Sequence, residues 1–368
     1  MTMSRFFGVC LVLCAFASVS DLRAQAPYQF STITGTGRRA PAPPKIGSAN
    51  SPTINASGRV AYEADGGVFL ETSGKTKLVA AIGVDAPGGG QFLSAGSPSM
   101  NAPGHLAFVG AAQAPSGSGI FPFESGKSRL VAAEGQNTSV GPIFGLNSPS
   151  LNANDEVAFL TFNGVFTETN GVVNKVVLSG DPSPEGDIFS SFSFPRINSS
   201  GQLVFTASLA SGTTGIYLAT SGAIQKIVNS NDSSPFGGSF AFFFDSASIN
   251  DSGQIAFSGI VNGPAASSGI YIYSAGQLAI KVPEFTQFGN GLQLVSTQSP
   301  SINASGDVAF SGQLLNAFDS GIYMTSANNL IQVMTPGKQH QMEARSPPDL
   351  LQCSMTSDKL CWTHVNRL

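Results

Sequence analysis

Charge is what this chain has least of. Asp, Glu, Lys and Arg make up 11% of its 368 residues, with a formal net charge of −4. No run of Lys or Arg follows a phosphate backbone or an anionic bilayer, which excludes nucleic acid and argues against a membrane-surface partner. Histidine is nearly as scarce. His105, His340 and His364 stand far apart, without an H-E-x-x-H or a paired C-x-x-C, so no metal site is read, and His105 is expected to be solvated at a turn exit. There is no Walker A loop. There is no G-x-S-x-G elbow either, only the near-miss G-G-S-F-A at Gly237–Ala241. No cofactor is called for. Arg38-Arg39 is an isolated basic pair, so no arginine cluster awaits an anionic substrate. Cysteine numbers four, of which Cys10 and Cys14 fall in the N-terminal apolar segment. That is no disulfide framework, and a core must hold the fold. Beyond the N-terminus no stretch keeps a 3.6-residue apolar period, which excludes a helical architecture.

Glycine and proline are plentiful instead, at 42 and 22 residues, between short apolar runs. That mixture fits many strands and many turns, and the regular apolar runs argue against disorder. The runs repeat. Asn55, Asn101, Asn152, Asn198, Asn250 and Asn303 are spaced 46, 51, 46, 52 and 53 residues apart. The fullest copy is Ser299–Gly312, S-P-S-I-N-A-S-G-D-V-A-F-S-G. The asparagine can bond its own downstream backbone, and the Gly three residues later (Asp155 in one copy) accepts a positive φ. Each motif is therefore a turn between two strands. Copies such as Asn55-Ala56-Ser57 also fit N-x-S, but the turn accounts for them without glycosylation.

After each turn comes a Val-Ala-Phe-like run such as Val157–Phe159. A Gly-Ile-Tyr-like strand such as Gly215–Tyr217 follows, and then a fourth apolar run such as Lys175–Leu178. Four strands in about 50 residues is the period of a propeller blade. The expected fold is an all-β propeller of four-stranded blades, with six clear repeats and a degenerate seventh.

Residues 1–26 read as a secretion signal: a short basic start, an apolar Phe6–Ser20, then small residues. An uncleaved anchor is the alternative. Residues 27–335 carry the repeats. Tyr28–Thr34 reads as an orphan outer strand that closes the ring. Residues 336–368 are either the degenerate seventh hairpin, with Thr356 in the asparagine's place, or a non-native tail. Cys353 and Cys361 flank that turn and could pair as a disulfide or stay as two thiols.

The S-P-S-I-N-x-x-G-x-V-A-F unit resembles the bacterial secreted tandem-repeat proteins named for an N-x-x-G-x-x-A-F repeat, over about Tyr28 to Val333. The resemblance implies a propeller outside the cytoplasm and supplies no catalytic residues. Members often carry a C-terminal anchoring signal. This sequence shows no apolar C-terminal helix, so a secreted or periplasmic monomer is expected, with no membrane span once the signal is removed.

Strand alternation puts the asparagine turns and the third-to-fourth turns on one face. The other face receives the remaining connections, which look long and variable, and a ligand is expected there. Asp85, Asp181 and Asp232 recur in those connections shortly before a proline. They are read either as turn starters or as a ring of carboxylates at the channel mouth for a cation or a sugar hydroxyl. Two functions follow. One is a non-enzymatic scaffold for an extracytoplasmic protein or polysaccharide. The other is a carbohydrate-active enzyme using those carboxylates. A purely structural role is the third.

Overall fold

The computed structural model describes residues 49–334, apart from 116, 245–246, 264–266, 288–292, 316–319 and 327–328. The signal segment, Tyr28–Thr34, Cys353, Cys361 and the hairpin around Thr356 lie outside the described residues.

Six antiparallel sheets of four or five strands follow one another, each with its strands in chain order from an inner to an outer edge, and together they form a β-propeller. Blade 1 joins Asn50–Ile54, Val60–Ala64, Gly67–Thr72 and Lys75–Ala80. Blade 2 joins Phe92–Met100, Leu106–Ala112, Gly119–Glu124 and an outer strand split into Lys127–Ser128 and Ala132–Ala133. Blade 3 joins Asn147–Leu151, Val157–Leu160, Gly164–Thr169 and Val172–Leu178. Blade 4 joins Phe189–Ile197, Leu203–Leu209, Thr214–Thr220 and Ala223–Asn229. Blade 5 has an inner strand split into Ser239–Phe243 and Ser248–Ile249, then Ile255–Asn262, Ser267–Ser274 and Gln277–Pro283. Blade 6 joins Leu294–Ile302, Val308–Leu314, Ser320–Ser326 and Asn329–Met334. Among the described residues no helix is long and apolar enough to cross a membrane.

The Val-Ala-Phe run is apolar throughout because the second strand is covered on both faces. In blade 3, Val157, Ala158 and Phe159 are all fully buried. Outer strands, covered on one side only, alternate between exposed and half-buried positions, as in Lys75–Leu78.

The cores lie between blades. In blade 4 the rings of Phe205 and Tyr217 stack at 5.8 Å and face Ala158 and Val165 of blade 3. Phe108–Phe121, Phe159–Phe166, Phe257–Tyr271 and Phe310–Tyr323 are the equivalent pairs. Small residues from one blade thus receive large rings from the next. The Gly of the Gly-Ile-Tyr strand has a packing reason too. A Cβ on Gly164 would run into the Val177 carbonyl of the outer strand, where the ladder bulges.

The Ser-Pro of the repeat marks a bulge in the inner strand. Ser51, Ser97, Ser148 and Ser299 hold φ between +48° and +51°, and the pairing with the second strand slips there.

The buried tyrosines predict how stability responds to alkali. Burial raises the phenol pKa of Tyr217, Tyr271 and Tyr323, the last pushed up to about 12. Groups whose folded pKa is raised contribute stability that is complete below the unfolded value. It is lost as pH climbs toward the folded one. Urea midpoints should therefore hold to about pH 10 and fall between about pH 10 and 12, with tyrosinate absorbance appearing together with unfolding.

Candidate functional site

Five of the six turn asparagines do more than close their own hairpins. In blade 4, Asn198 Oδ1 accepts from the amides of Ser200 (3.1 Å) and Gln202 (2.9 Å), which fixes the turn. Its Nδ2 then crosses to the next blade and donates to the Asn250 carbonyl at 3.0 Å. Asn101, Asn152 and Asn250 do the same to Asn152, Asn198 and Asn303, and Asn55 reaches the Ala102 carbonyl. Asn303 holds its own turn through the amides of Ser305 and Asp307 and is exposed. This face is a chain of structural clasps.

The opposite face is less variable than its sequence suggests. All five described blade-to-blade connections share one hydrogen-bond scheme. Gly83 bonds the Phe92 carbonyl, Gly135 that of Ile143, Gly180 that of Phe189, Asn231 that of Phe240 and Phe285 that of Leu294. A return bond closes each, for example from Phe189 N to the Asp181 carbonyl at 3.0 Å. Part of each expected loop is inner strand, and the same pair of backbone bonds recurs at the foot of every connection, although the one between blades 2 and 3 is a residue shorter and pairs Asn137–Thr138 with Gly141–Pro142 as a small ribbon.

That scheme corrects the carboxylate ring. Asp181 accepts from the Leu178 amide (2.8 Å) and Lys175 Nζ (3.0 Å), both on the outer strand of its blade. Asp232 does the same with Asn229 N (2.8 Å) and Lys226 Nζ (3.0 Å). Both carboxylates are spent at the outer end of the connection rather than at the channel mouth. Asp85 lacks that lysine and is exposed within its own loop, where it bridges to Gln91. The three are not brought together.

This face also turns large apolar side chains outward. Ile82, Phe144, Phe162, Ile188, Phe236 and Phe285 all project from its connections, and Phe162 is 81% exposed. Phe162 closes on the neighbouring connection, where its amide donates to the Phe144 carbonyl at 2.9 Å. Among the described residues, Val172 is the one large exposed apolar side chain on the asparagine-turn side.

A profile for a family of unknown function, DUF7453, matches residues 19–357. The chain belongs to the DUF7453 family. No curated protein matches it. Solved structures with a similar course include the β-propeller domain of the Trilobed protease from Pyrococcus furiosus. It is 13% identical, with a TM-score of 0.49, over 79% of this chain and 86% of that one. A puromycin-hydrolyzing peptidase from Mycobacterium tuberculosis is 13% identical with a TM-score of 0.48, over 84% of this chain and 47% of that one. The chain thus spans about half the length of that peptidase. An Aleuria aurantia lectin in complex with alpha-methyl-L-fucoside is 14% identical with a TM-score of 0.37, over 83% and 96%. Likenesses this distant say nothing about what the chain binds.

Two charged residues stand where the repeat of this DUF7453 propeller has an uncharged one and alter its packing. One lies at the junction of blades 2 and 3. Asp155, standing where the repeat has Gly, keeps the left-handed backbone at φ +63°. Its Oδ1 lies 2.8 Å from both Asn101 Nδ2 and His105 Nδ1. His105, expected to be solvated, is only partly exposed and held across the blade boundary, with Glu124 Oε1 3.8 Å from its Nε2. One nitrogen of His105 and one oxygen each of Glu124 and Asp155 fall within 4.8 Å of one another. With its oxygen already engaged by Asn101 and His105, Asp155 serves as a clasp between the blades. Beside it lies a hollow of about 460 Å³, lined by Arg129, Asn154, Asp155, Glu156 and Thr169.

The other lies in the inner strand of blade 4. Phe194 and Arg196 replace the serines found at those positions in most other blades. The Arg196 guanidinium donates to the Pro195 carbonyl at 3.0 Å, and burial lowers its pKa from the ordinary value. Sequence reasoning missed this residue. Aligning the repeats position by position, two residues before each asparagine, would have exposed it.

Proposed function

We propose that this DUF7453 propeller is an exported, non-enzymatic scaffold that binds a protein outside the cytoplasm. The apolar side chains gathered on the connection face carry this reading. They recur from one connection to the next on the same face, and apolar surface concentrated on one face marks an interaction site. Ile82 and Ile188 favour a protein surface, since a sugar is met mainly by polar groups and aromatic faces. Export is supported by the apolar Phe6–Ser20 segment and its small-residue flank, by the low charge, and by the resemblance to secreted N-x-x-G-x-x-A-F proteins. The carbohydrate-enzyme reading loses its basis, because Asp181 and Asp232 are engaged by lysines and turn amides.

The test compares the wild type with a Phe162→Ser, Phe236→Ser double variant. Both residues are exposed, so the fold should survive. Envelope proteins captured by cross-linking should be retained by the wild type. They should bind the variant roughly thirtyfold more weakly, the worth of one interface hot spot of about 2 kcal/mol. Capture indifferent to the substitutions would sink the reading. So would a polysaccharide that raises the melting temperature of both proteins equally.

A further inference from the structure

Among the described residues of the six inner strands, which line the centre of the propeller, Arg196 is the single charged side chain. Blades 2, 3, 5 and 6 have Ser99, Ser150, Ser248 and Ser301 at that position, and blade 1 has Thr53. Three of those serines bind the next blade. Leu151 N donates to Ser99 Oγ (3.1 Å), Ile197 N to Ser150 Oγ (3.2 Å) and Ile302 N to Ser248 Oγ (3.1 Å). Blade 4 forgoes that bond to carry an arginine.

Two residues earlier, blade 4 departs again. Phe194 holds φ +28° at the bulge where four other blades place a serine near +50°, and its ring stays partly exposed. A bulky side chain with positive φ is strained, and such strain persists where something other than stability maintains it. Two costly departures thus sit two residues apart on one inner strand.

Among the described residues no carboxylate lies within ion-pair distance of Arg196, and its guanidinium contact is the Pro195 carbonyl. Burial lowers its pKa, but a guanidinium does not lose its proton in a protein. The charge therefore remains, partly desolvated and without an ion-pair partner among the described residues, and its planar fork of donors matches one anion geometry best, a carboxylate held by two parallel N–H bonds.

We propose that the centre of this propeller is a carboxylate-binding site in which Arg196 takes the anion and Phe194 packs against the carbon skeleton of its ligand. The carboxylate is delivered either by a free organic acid or by a peptide. In the second case the site rests on the protein-binding reading above and would anchor part of that partner.

Arg196→Ser is the decisive variant because it restores the serine of the other blades and so should fold. Melting is followed in acetate, in acetamide as the neutral isostere, and in chloride at matched ionic strength. Acetate should raise the wild-type melting temperature while acetamide does not. Arg196→Ser should melt no lower than the wild type in chloride and should ignore acetate. A second arm titrates acetylated tripeptides with free or amidated C-termini by calorimetry. The wild type should prefer the free acid by about tenfold or more, and Arg196→Ser should show no preference. A response to acetate alone assigns the source to free acids, and tighter binding of the free-acid peptide assigns it to peptides. Equal responses of wild type and variant, or no wild-type response to either carboxylate, overturn the proposal. An internal pairing with Asp245, which lies outside the described residues, would give that null result. If Arg196→Ser still captures envelope protein through Phe162 and Phe236, only the carboxylate site has fallen.

Discussion

Replacing Asn198 by alanine is expected to cost about 3 kcal/mol of folding stability, far more than a turn residue ordinarily does. The side chain is 3% exposed and serves four partners: the amides of Ser200 and Gln202, the Gln202 side chain and the Asn250 carbonyl. Alanine strands these groups where water does not readily replace the lost bonds, at about 1–3 kcal/mol for each fully buried one, less than additively. Asn303→Ala is the internal control. Asn303 holds its own turn through Ser305 and Asp307 but is exposed, so its loss should cost about 1 kcal/mol. Urea denaturation of the two variants should differ by about 2 kcal/mol. Equal losses would mean that the bond to the next blade contributes nothing.

Phe205→Ala should cost more, about 3–5 kcal/mol. The ring is fully buried among Phe189 at 6.2 Å, Phe192 at 5.9 Å and Tyr217 at 5.8 Å between centroids. The location of the damage is as informative as its size. Because Phe205 packs across the junction against Ala158 and Val165, the cavity opens between sheets rather than within one. Hydrogen exchange should accelerate in Val157–Leu160 and Leu203–Leu209 before it does in blade 6. Phe205→Leu should recover most of the loss. Uniform acceleration over all six blades would instead describe a single cooperative unit.

The repeat, its four strands and the propeller were legible because each blade carries the same local chemistry, an asparagine turn and an apolar run of strand length. The direction in which residues face was not legible. A Val-Ala-Phe run buried on both sides has no alternation to read, so that Ala158 faces blade 4 while Phe159 faces blade 2 emerges only from packing. The aspartates were misread for a related reason. Asp181 and Asp232 each follow a lysine by six residues, Lys175 and Lys226, and the turn after the outer strand brings the two charges together. Asp85 has Val79 at that distance and stays exposed. Arg196 was hidden by its surroundings: a single charge within F-S-F-P-R-I looks like noise until the same position in five other blades proves uncharged.

The asparagine bonds all run one way, from each blade to the one after it. The contact is therefore heterologous, head to tail, and no blade needs to recognise which neighbour it has. A duplicated or deleted unit brings along, or takes away, one donor and one acceptor together, so the asparagine bond can form again at every remaining junction. Changes in blade number by whole repeats are thereby tolerated at the level of the bonds, and curvature around the axis is left as the quantity that limits how many blades a chain of this kind can hold.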